Sequence, residues 1–212
     1  MQLIGMLDSP YVRRIAIALI VAKAPFIHRP ISLFRHIDQF SRLNPLLKAP
    51  TLLTDDGVAL MDSNVILDYL AGADPRIAAL TPAKAPERLA ALRATGVALT
   101  VMEKAVQRHY ERTLRPAEKQ HGPWIDRVMG QLTAGLEALD AELPGGAWIG
   151  GDMGVADIAV VCAFGFARAF LADVVELDRY PNLAAFSARA EALPAFRAAP
   201  AKDGATASAL GD

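Results

Sequence analysis

KAPTLLTDDGVALMDS, residues 48–63, contains two short apolar runs on either side of an Asp-Asp-Gly sequence. Glycine supplies the positive φ angle that tight turns often need, so the stretch predicts two strands joined by a turn at Gly57. Asp62-Ser63 then opens the amphipathic sequence SNVILDYLAG, which predicts a helix over residues 63–71. Because the N–H groups at a helix start attract anions, this stretch predicts a binding surface for a small anionic peptide. The helix residues expected to face inward are Val65, Ile66, Tyr69 and Leu70.

The sequence before this stretch alternates between short apolar runs and helical patterns. Residues 2–7, QLIGML, and 26–31, FIHRPI, predict strands. Between them, Ser9-Pro10 is a preferred pair for starting a helix, with serine at the N-cap and proline at the first helical position. Residues 34–43 predict a second, short helix. The order strand, helix, strand, helix, strand, strand, helix indicates an α/β domain over residues 1–77 with a mixed sheet.

The sequence beyond this domain contains no strand pattern. Residues 72–75, GADP, and Thr81-Pro82 mark a linker, after which apolar residues recur at helical spacing. The pattern indicates an all-helical domain over residues 83–200, followed by a disordered tail over 201–212 that is rich in alanine, glycine and serine. The predicted helices cover residues 86–115, 123–143, 155–171 and 183–193. The third is apolar nearly all round, which is typical of the centre of a helical bundle.

The composition is that of a globular protein with almost no net charge. The chain has 212 residues, of which 53% are hydrophobic and 21% charged, and its net charge is −1. These values exclude wholesale disorder and give no reason to expect a nucleic acid or membrane surface as a partner. The single cysteine, Cys162, cannot form an internal disulfide, and the N-terminus lacks a signal-peptide pattern, so we predict a cytoplasmic location. The four histidines have no metal-ligand spacing, and we predict no metal and no cofactor.

Three segments together resemble the soluble glutathione transferases. They are the strand leading to Ser9-Pro10, residues 44–70, NPLLKAPTLLTDDGVALMDSNVILDYL, and residues 148–160, WIGGDMGVADIAV. The start MQLIGMLDSPYVRR, residues 1–14, resembles a bacterial subgroup with a serine near this position. The resemblance implies a thioredoxin-like N-terminal domain, an all-helical C-terminal domain and a homodimer. It also implies that glutathione is a co-substrate, whose thiolate attacks a small hydrophobic electrophile.

The resemblance assigns the reactive position to Ser9. A free thiol has a pKa of about 8.5 and is mostly protonated at neutral pH, so the enzyme must stabilise the thiolate. The Ser9 hydroxyl at the start of a helix could donate a hydrogen bond to the sulfur. From the local sequence alone, a helix cap is the better explanation of Ser9, because Ser-Pro caps are common. Tyr11 is a rival donor, although it lies inside the predicted helix.

The resemblance also assigns glutathione contacts to the central stretch. In thioredoxin-like proteins the proline at the position of Pro50 is cis, whereas the local sequence alone favours trans. The backbone of Ala49 would then pair with the cysteinyl unit like an added strand. Lys48 could reach the glycyl carboxylate or could be an ordinary surface lysine. Asp62 could hold the ammonium group, and Ser63, read as a helix N-cap, could bind the γ-glutamyl carboxylate.

The helical domain of the family supplies the pocket for the electrophile. Val106, His109 and Tyr110 recur at helical spacing near the end of the first long helix and are candidates for that pocket, together with Tyr11. Side chains that recur at this helical spacing more often pack in the core of a domain than line a pocket. The family often starts its central helix with a serine or threonine three residues before an aspartate, but Gly154 stands there before Asp157. We interpret Asp157 as a structural residue that reaches back to the Gly154 N–H.

Two other functions fit the same resemblance. The first is glutathione-dependent isomerisation, or disulfide chemistry, although the latter is disfavoured because no cysteine lies near Ser9. The second is a non-catalytic binding or regulatory protein of the same fold, like the stringent-starvation proteins associated with RNA polymerase. The candidate residues at Ser9, Ala49-Pro50 and Asp62-Ser63 favour glutathione binding over that reading, but they do not establish turnover.

Overall fold

The computed structural model describes residues 1–143, 145, 147–202, 204 and 206. Its internal contacts divide the chain into two units: Met1–Ala83 together with Glu191–Asp212, and Lys84–Ala190. The sequence pattern assigns residues 83–200 to the helical domain, so the placement of the segment from Glu191 onwards differs from that expectation. The predicted disordered tail, residues 201–212, lies mostly outside the described residues. Within the described part, no helix combines the length and the apolar composition needed to cross a bilayer.

The sheet of the first unit is mixed, as predicted. Its strands are β1 (Gln2–Ile4), β2 (Ile27–Arg29), β3 (Thr51–Leu53) and β4 (Ala59–Met61), in the spatial order β2-β1-β3-β4. β1 pairs parallel with β2 and antiparallel with β3, so Leu3 lies opposite both His28 and Leu52. β3 and β4 pair antiparallel around the predicted turn, where Gly57 has a φ angle of 81°. β1 is shorter than the predicted strand over residues 2–7.

The helices follow in the predicted order, with two short additions. They are α1 (Pro10–Val21), α2 (Ile37–Ser41), α3 (Ser63–Ala73), α4 (Pro75–Ala78), α5 (Ala85–Thr113), α6 (Gly122–Glu142), α7 (Val155–Phe170), α8 (Pro181–Glu191) and α9 (Pro194–Ala198). α1, α4, α8 and α9 begin at a proline, whose fixed φ and missing N–H suit the first helical position. In the first unit α1 contacts β1, α3 and α9. The sequence pattern predicted neither α4, which lies where a linker was expected, nor α9.

The inward face of α3 is narrower than the sequence predicts. Ile66 and Leu70 are buried, but Val65 is 51% and Tyr69 44% exposed, so these two assignments were wrong. Residues four apart share a helix face, and neighbouring residues point about 100° apart. Val65 and Tyr69 therefore form a separate apolar stripe beside the buried one. That stripe is left on the surface of the first unit.

The second unit is built around α7, which is buried along almost its whole length. Ala156 to Ala167 are all buried, in agreement with the predicted central helix. α5 contacts both α6 and α7. Its buried residues include Ala98, Val101 and Met102, while Leu89 is 70% and Leu92 54% exposed. The start of α5 thus carries apolar side chains on the surface of this unit.

The contact between α5 and α6 depends on Gly135. A Cβ atom at Gly135 would lie 2.6 Å from the Val101 Cγ2 atom, whereas at Gly130, on the same helix, nothing lies within 4 Å. We expect Gly130→Ala to raise the free energy of unfolding by up to about 1 kcal/mol, because alanine favours the helix. Gly135→Ala should instead lower it by about 1–3 kcal/mol through overpacking. Urea denaturation of both variants measures the difference, and equal effects would contradict a close contact at Val101.

Asp157 connects the start of α7 to the preceding loop. Its carboxylate is fully buried and accepts hydrogen bonds from the Ile149 N–H and the Gly154 N–H, each at 2.8 Å. The predicted bond to Gly154 is confirmed. Burial raises the pKa of Asp157 from its ordinary value of 3.8 to about 6, although the two N–H donors oppose the shift. The residue has a structural role in this unit.

The raised pKa of Asp157 predicts a dependence of stability on pH. Between about pH 4 and 6 the folded carboxyl group holds a proton that the unfolded one has lost, so its contribution to stability falls as the pH rises through this range. From pH 5 to 7.5, the free energy of unfolding of the wild type, minus that of Asp157→Asn, should fall by about 1 kcal/mol. Denaturant titrations at several pH values measure this difference. A constant difference would contradict the prediction.

Candidate functional site

Ser9 lies at the start of α1 in extended backbone, with φ −70° and ψ 122°. Its Oγ accepts a hydrogen bond from the Val12 N–H at 3.4 Å, so the serine is the N-cap of the helix. The first turn contains no acidic side chain that would neutralise the positive end of the helix dipole. Because the hydroxyl accepts from the backbone, its own proton can be donated to another group. Capping and thiolate stabilisation are therefore compatible roles for Ser9.

The loop before β3 is held by Asn44. The Ala49–Pro50 peptide bond is cis, as the resemblance implies. Asn44 is buried, and its Nδ2 donates to Thr51 Oγ1 at 2.9 Å and to the Lys48 carbonyl at 3.3 Å. The side chain of Lys48 is exposed, and Pro50 is buried. Asn44 lies in the segment that carries the family resemblance, but the sequence did not predict these hydrogen bonds.

Ala49 presents its backbone beside the end of β1. Within the described residues, neither the N–H nor the C=O of Ala49 has a hydrogen-bond partner. A Cβ atom at Gly5 would lie 3.2 Å from the Ala49 Cβ and 2.6 Å from Val12 Cγ2, and Gly5 has a φ angle of 135°. Only glycine therefore lets the end of β1 lie between α1 and the Pro50 loop. A glycine inside the apolar run of residues 2–7 was the signal that could have shown this close approach.

The start of α3 differs from the prediction by one residue. Ser63 is not the N-cap: Asp62 takes that position with a φ angle of 66°, and its Oδ1 accepts from the Asn64 N–H at 2.8 Å. Aspartate and serine are about equally good caps, so the sequence alone could not choose between them. Ser63 is instead the first helical residue and is buried, with an exposed fraction of 3%.

A second contact, which the sequence did not predict, reaches Ser63 from α1. Arg14 Nη1 donates to Ser63 Oγ at 3.0 Å and to Asn64 Oδ1 at 2.9 Å. Arg14 is itself buried, with an exposed fraction of 1%. Two adjacent arginines in the otherwise apolar sequence of α1 were the available signal. Buried arginines need partners, which here come from residues about 50 positions away in the chain.

The candidate pocket residues fall into both units. Tyr11 lies in α1 of the first unit, and Val106, His109 and Tyr110 lie on α5 of the second. The centre of the His109 ring lies 5.9 Å from the centre of the Tyr110 ring and 4.9 Å from that of the Phe170 ring. His109 therefore packs against α7, as a core side chain does. An open pocket of about 590 Å³ beside the end of α5 includes Tyr110, but not Val106 or His109. Its lining residues are Gln107, Tyr110, Glu111, Leu114, Arg115, Pro116, Lys119 and Trp124.

The described side chains show no arrangement for a metal. Among them, no group of three histidine, cysteine, aspartate or glutamate residues is placed to hold a metal ion. Cys162 is buried in α7. In the first unit, the polar groups predicted from the sequence lie at three places: the Ser9 hydroxyl at the start of α1, the Ala49 backbone before β3, and Asp62-Ser63 at the start of α3.

Comparison with known proteins gives matches in both units. Residues 3–78 match the family described as glutathione S-transferase, N-terminal domain, and residues 122–189 match glutathione S-transferase, C-terminal domain. Maleylacetoacetate isomerase of Pseudomonas aeruginosa is 30% identical over 198 residues, which cover 88% of this chain and 89% of the relative.

Solved structures agree with these matches. A glutathione S-transferase from Methylobacterium radiotolerans, in complex with glutathione sulfonate, is 30% identical with a TM-score of 0.85, and 92% of each chain is covered. A glutathione S-transferase from Methylobacillus flagellatus, with GSH bound, is 27% identical with a TM-score of 0.84, and the match covers 93% of this chain and 98% of that one. The α/β unit with its mixed four-stranded sheet and the helical unit are those of this fold. The chain belongs to the glutathione S-transferase family.

Proposed function

We propose that this protein is a glutathione transferase that activates the glutathione thiolate for attack on a small hydrophobic electrophile. The observation that carries the proposal is Ser9: its oxygen accepts from the Val12 N–H at the positive end of α1, so its proton can be donated to a sulfur anion. Such a bond favours the thiolate over a thiol whose pKa in water is about 8.5. The thiolate then forms a bond to the electrophilic carbon, and the leaving group departs with its electron pair.

The other polar groups suit the rest of glutathione, which carries two carboxylates and one ammonium group. The Ala49 N–H and C=O would pair with the cysteinyl unit as an added strand does. The exposed carboxylate of Asp62 would hold the ammonium, and Ser63 at the start of α3 would bind the γ-glutamyl carboxylate. The exposed Lys48 would reach the glycyl carboxylate. Two similar solved structures contain GSH or glutathione sulfonate, which supports this assignment.

We assign the electrophile to apolar side chains at the end of α5, which include Tyr110; Tyr11 on α1 is a separate candidate for contact with it. Tyr110 is 39% exposed and lines an open pocket, so its ring can contact a bound molecule. Val106 and His109 are half-buried on the same helix, and His109 would act mainly by supporting the Tyr110 ring. These residues favour a hydrophobic or aromatic electrophile.

Glutathione-dependent isomerisation is a second candidate function. It is favoured by the 30% identity to the Pseudomonas aeruginosa relative, which is named a maleylacetoacetate isomerase. The same thiolate would add to a carbon–carbon double bond, allow rotation and leave again, so glutathione would not be consumed. The two functions differ in this consumption. Loss of free thiol during turnover indicates transfer, and isomerisation of maleylacetoacetate at constant thiol indicates the alternative.

Binding to glutathione is the first test of the proposal. The purified protein should be retained on immobilised glutathione and be eluted by free glutathione. It should then conjugate 1-chloro-2,4-dinitrobenzene in a steady-state assay. Failure to bind would contradict the proposal as a whole. Binding without either reaction would favour a non-catalytic member of the family.

We further propose a cytoplasmic homodimer. The exposed large apolar side chains include Val65 and Tyr69 on α3 of the first unit, and Leu89 and Leu92 on α5 of the second. Such exposed side chains are typical of protein–protein interfaces. Light scattering coupled to size-exclusion chromatography should therefore give twice the mass of one chain. A monomeric mass would contradict the dimer.

A further inference from the structure

We propose that Arg14 is a positioning residue that orients the Ser63 hydroxyl for recognition of the γ-glutamyl carboxylate, an inference that rests on the proposed glutathione function. Arg14 lies on α1, five residues after Ser9, and reaches the first residue of α3. Its Nη1 is 3.0 Å from Ser63 Oγ and 2.9 Å from Asn64 Oδ1. One buried side chain thus joins the helix that carries the thiolate donor to the helix that would bind the other end of glutathione.

The direction of this hydrogen bond determines what Ser63 can do. A guanidinium group has no acceptor, so in the pair with Ser63 it must be the donor. The hydroxyl of Ser63 has one proton, which cannot point at Arg14 and remains available for an acceptor. An ionised carboxylate accepts hydrogen bonds and donates none. The bond from Arg14 therefore fixes Ser63 as a donor to an anion.

The charge of Arg14 acts in the same sense. The side chain is buried, with an exposed fraction of 1%, so water screens its charge poorly. It lies beneath the N-terminus of α3, where the helix dipole already favours negative charge. Ser63 is itself only 3% exposed, so a ligand reaches it over a small area between the exposed residues Asp62 and Asn64. A single carboxylate fits this description better than a bulkier anion.

The test compares glutathione with 4-aminobutyryl-cysteinylglycine, in which a hydrogen replaces the γ-glutamyl carboxylate. Calorimetric titration should show that the wild type binds glutathione at least tenfold more tightly than the analogue. In Arg14→Met this preference should fall to threefold or less, because glutathione binds more weakly while the analogue is unaffected. At saturating glutathione, the kcat of Arg14→Met for conjugation of 1-chloro-2,4-dinitrobenzene should stay within a factor of about two of the wild-type value, since Ser9 is unchanged.

Three further variants control for indirect effects. Ser63→Ala should lose the same preference as Arg14→Met, whereas Asn64→Ala removes the other acceptor of Arg14 and should retain most of it. Arg14→Lys keeps the positive charge but lacks the planar guanidinium group with its several N–H donors. It should therefore retain only part of the preference for glutathione over the analogue. If Arg14→Met does not fold, Arg14→Lys and Ser63→Ala carry the test, and both must lower the preference.

The outcomes separate this inference from the proposed function. A wild type that binds neither ligand overturns the proposed glutathione function. A wild type that binds both equally, or an Arg14→Met variant that keeps the tenfold preference, overturns only the role of Arg14. If Arg14→Met binds glutathione and the analogue more weakly by the same factor, the role of Arg14 is also overturned. That result indicates general damage to the unit and not a loss of carboxylate recognition.

Discussion

Replacing Ser9 by alanine is expected to lower kcat/KM for conjugation of 1-chloro-2,4-dinitrobenzene roughly tenfold or more, which corresponds to about 1.4 kcal/mol of transition-state stabilisation. The Ser9 Oγ already accepts from the Val12 N–H, so the hydroxyl proton is the group that the variant removes from the thiolate. Without that donor the thiol pKa should rise. The rising limb of the pH profile of kcat/KM should therefore move to higher pH, and steady-state kinetics over a range of pH measures both changes.

Ser9 also caps α1, so the experiment needs a variant that separates the two roles. Alanine at an N-cap costs about 1 kcal/mol of stability, but glycine costs only a few tenths. Ser9→Gly therefore nearly preserves the cap and lacks the hydroxyl. If the hydroxyl stabilises the thiolate, both variants lose activity to the same extent, whereas their stabilities differ. Full activity in Ser9→Gly, or unchanged kcat/KM in Ser9→Ala, would contradict the proposed role.

The parts of the fold that the sequence predicts well are those with local causes. Ser9-Pro10 starts α1 because a serine cap and a proline at the first helical position act within one turn. Gly57 marks the turn between β3 and β4 because the backbone there needs a positive φ angle. The strand and helix order of the first unit follows from such signals. The cis bond at Pro50 and the proposed glutathione contacts were predicted only from the resemblance to the family, since the local sequence favours a purely structural role at each position.

The parts that the sequence missed depend on distant contacts. Whether Asp62 or Ser63 caps α3 is decided by the path of the backbone, and both residues suit a cap. Helical periodicity placed Tyr69 inside because it recognises apolar residues, but it does not show how wide the covered face is. Gly5 and Arg14 acquire their roles from residues far along the chain, at Ala49 and Ser63. The local sequence shows that such a residue is unusual, but it does not show which distant residue it contacts.

Arg13 is the strongest case of such a distant contact, and Glu191→Gln should lower the free energy of unfolding by about 2–4 kcal/mol. The guanidinium of Arg13 donates from Nη1 and Nη2 to the two carboxylate oxygens of Glu191, both at 2.7 Å, and from Nε to the Ala199 carbonyl at 2.8 Å. The Arg13 side chain is only 2% exposed. Glutamine removes the compensating charge and one of the two acceptors, so it leaves a buried cation poorly paired. Urea denaturation measures the loss.

Two controls distinguish the cost of a buried charge that has lost its counter-ion from the general effect of removing an ion pair. In Arg13→Met/Glu191→Met both charges are absent, and the loss should be smaller than in Glu191→Gln because an apolar pair can replace a buried salt bridge. Glu142→Gln removes the partner of Arg93 in the second unit, where the side chains are 41% and 63% exposed, and should have a much smaller effect because water screens that pair. A loss in Glu191→Gln no larger than in Glu142→Gln would contradict the prediction. The segment from Glu191 to Ala199 would then be joined to α1 by apolar packing and not by this ion pair.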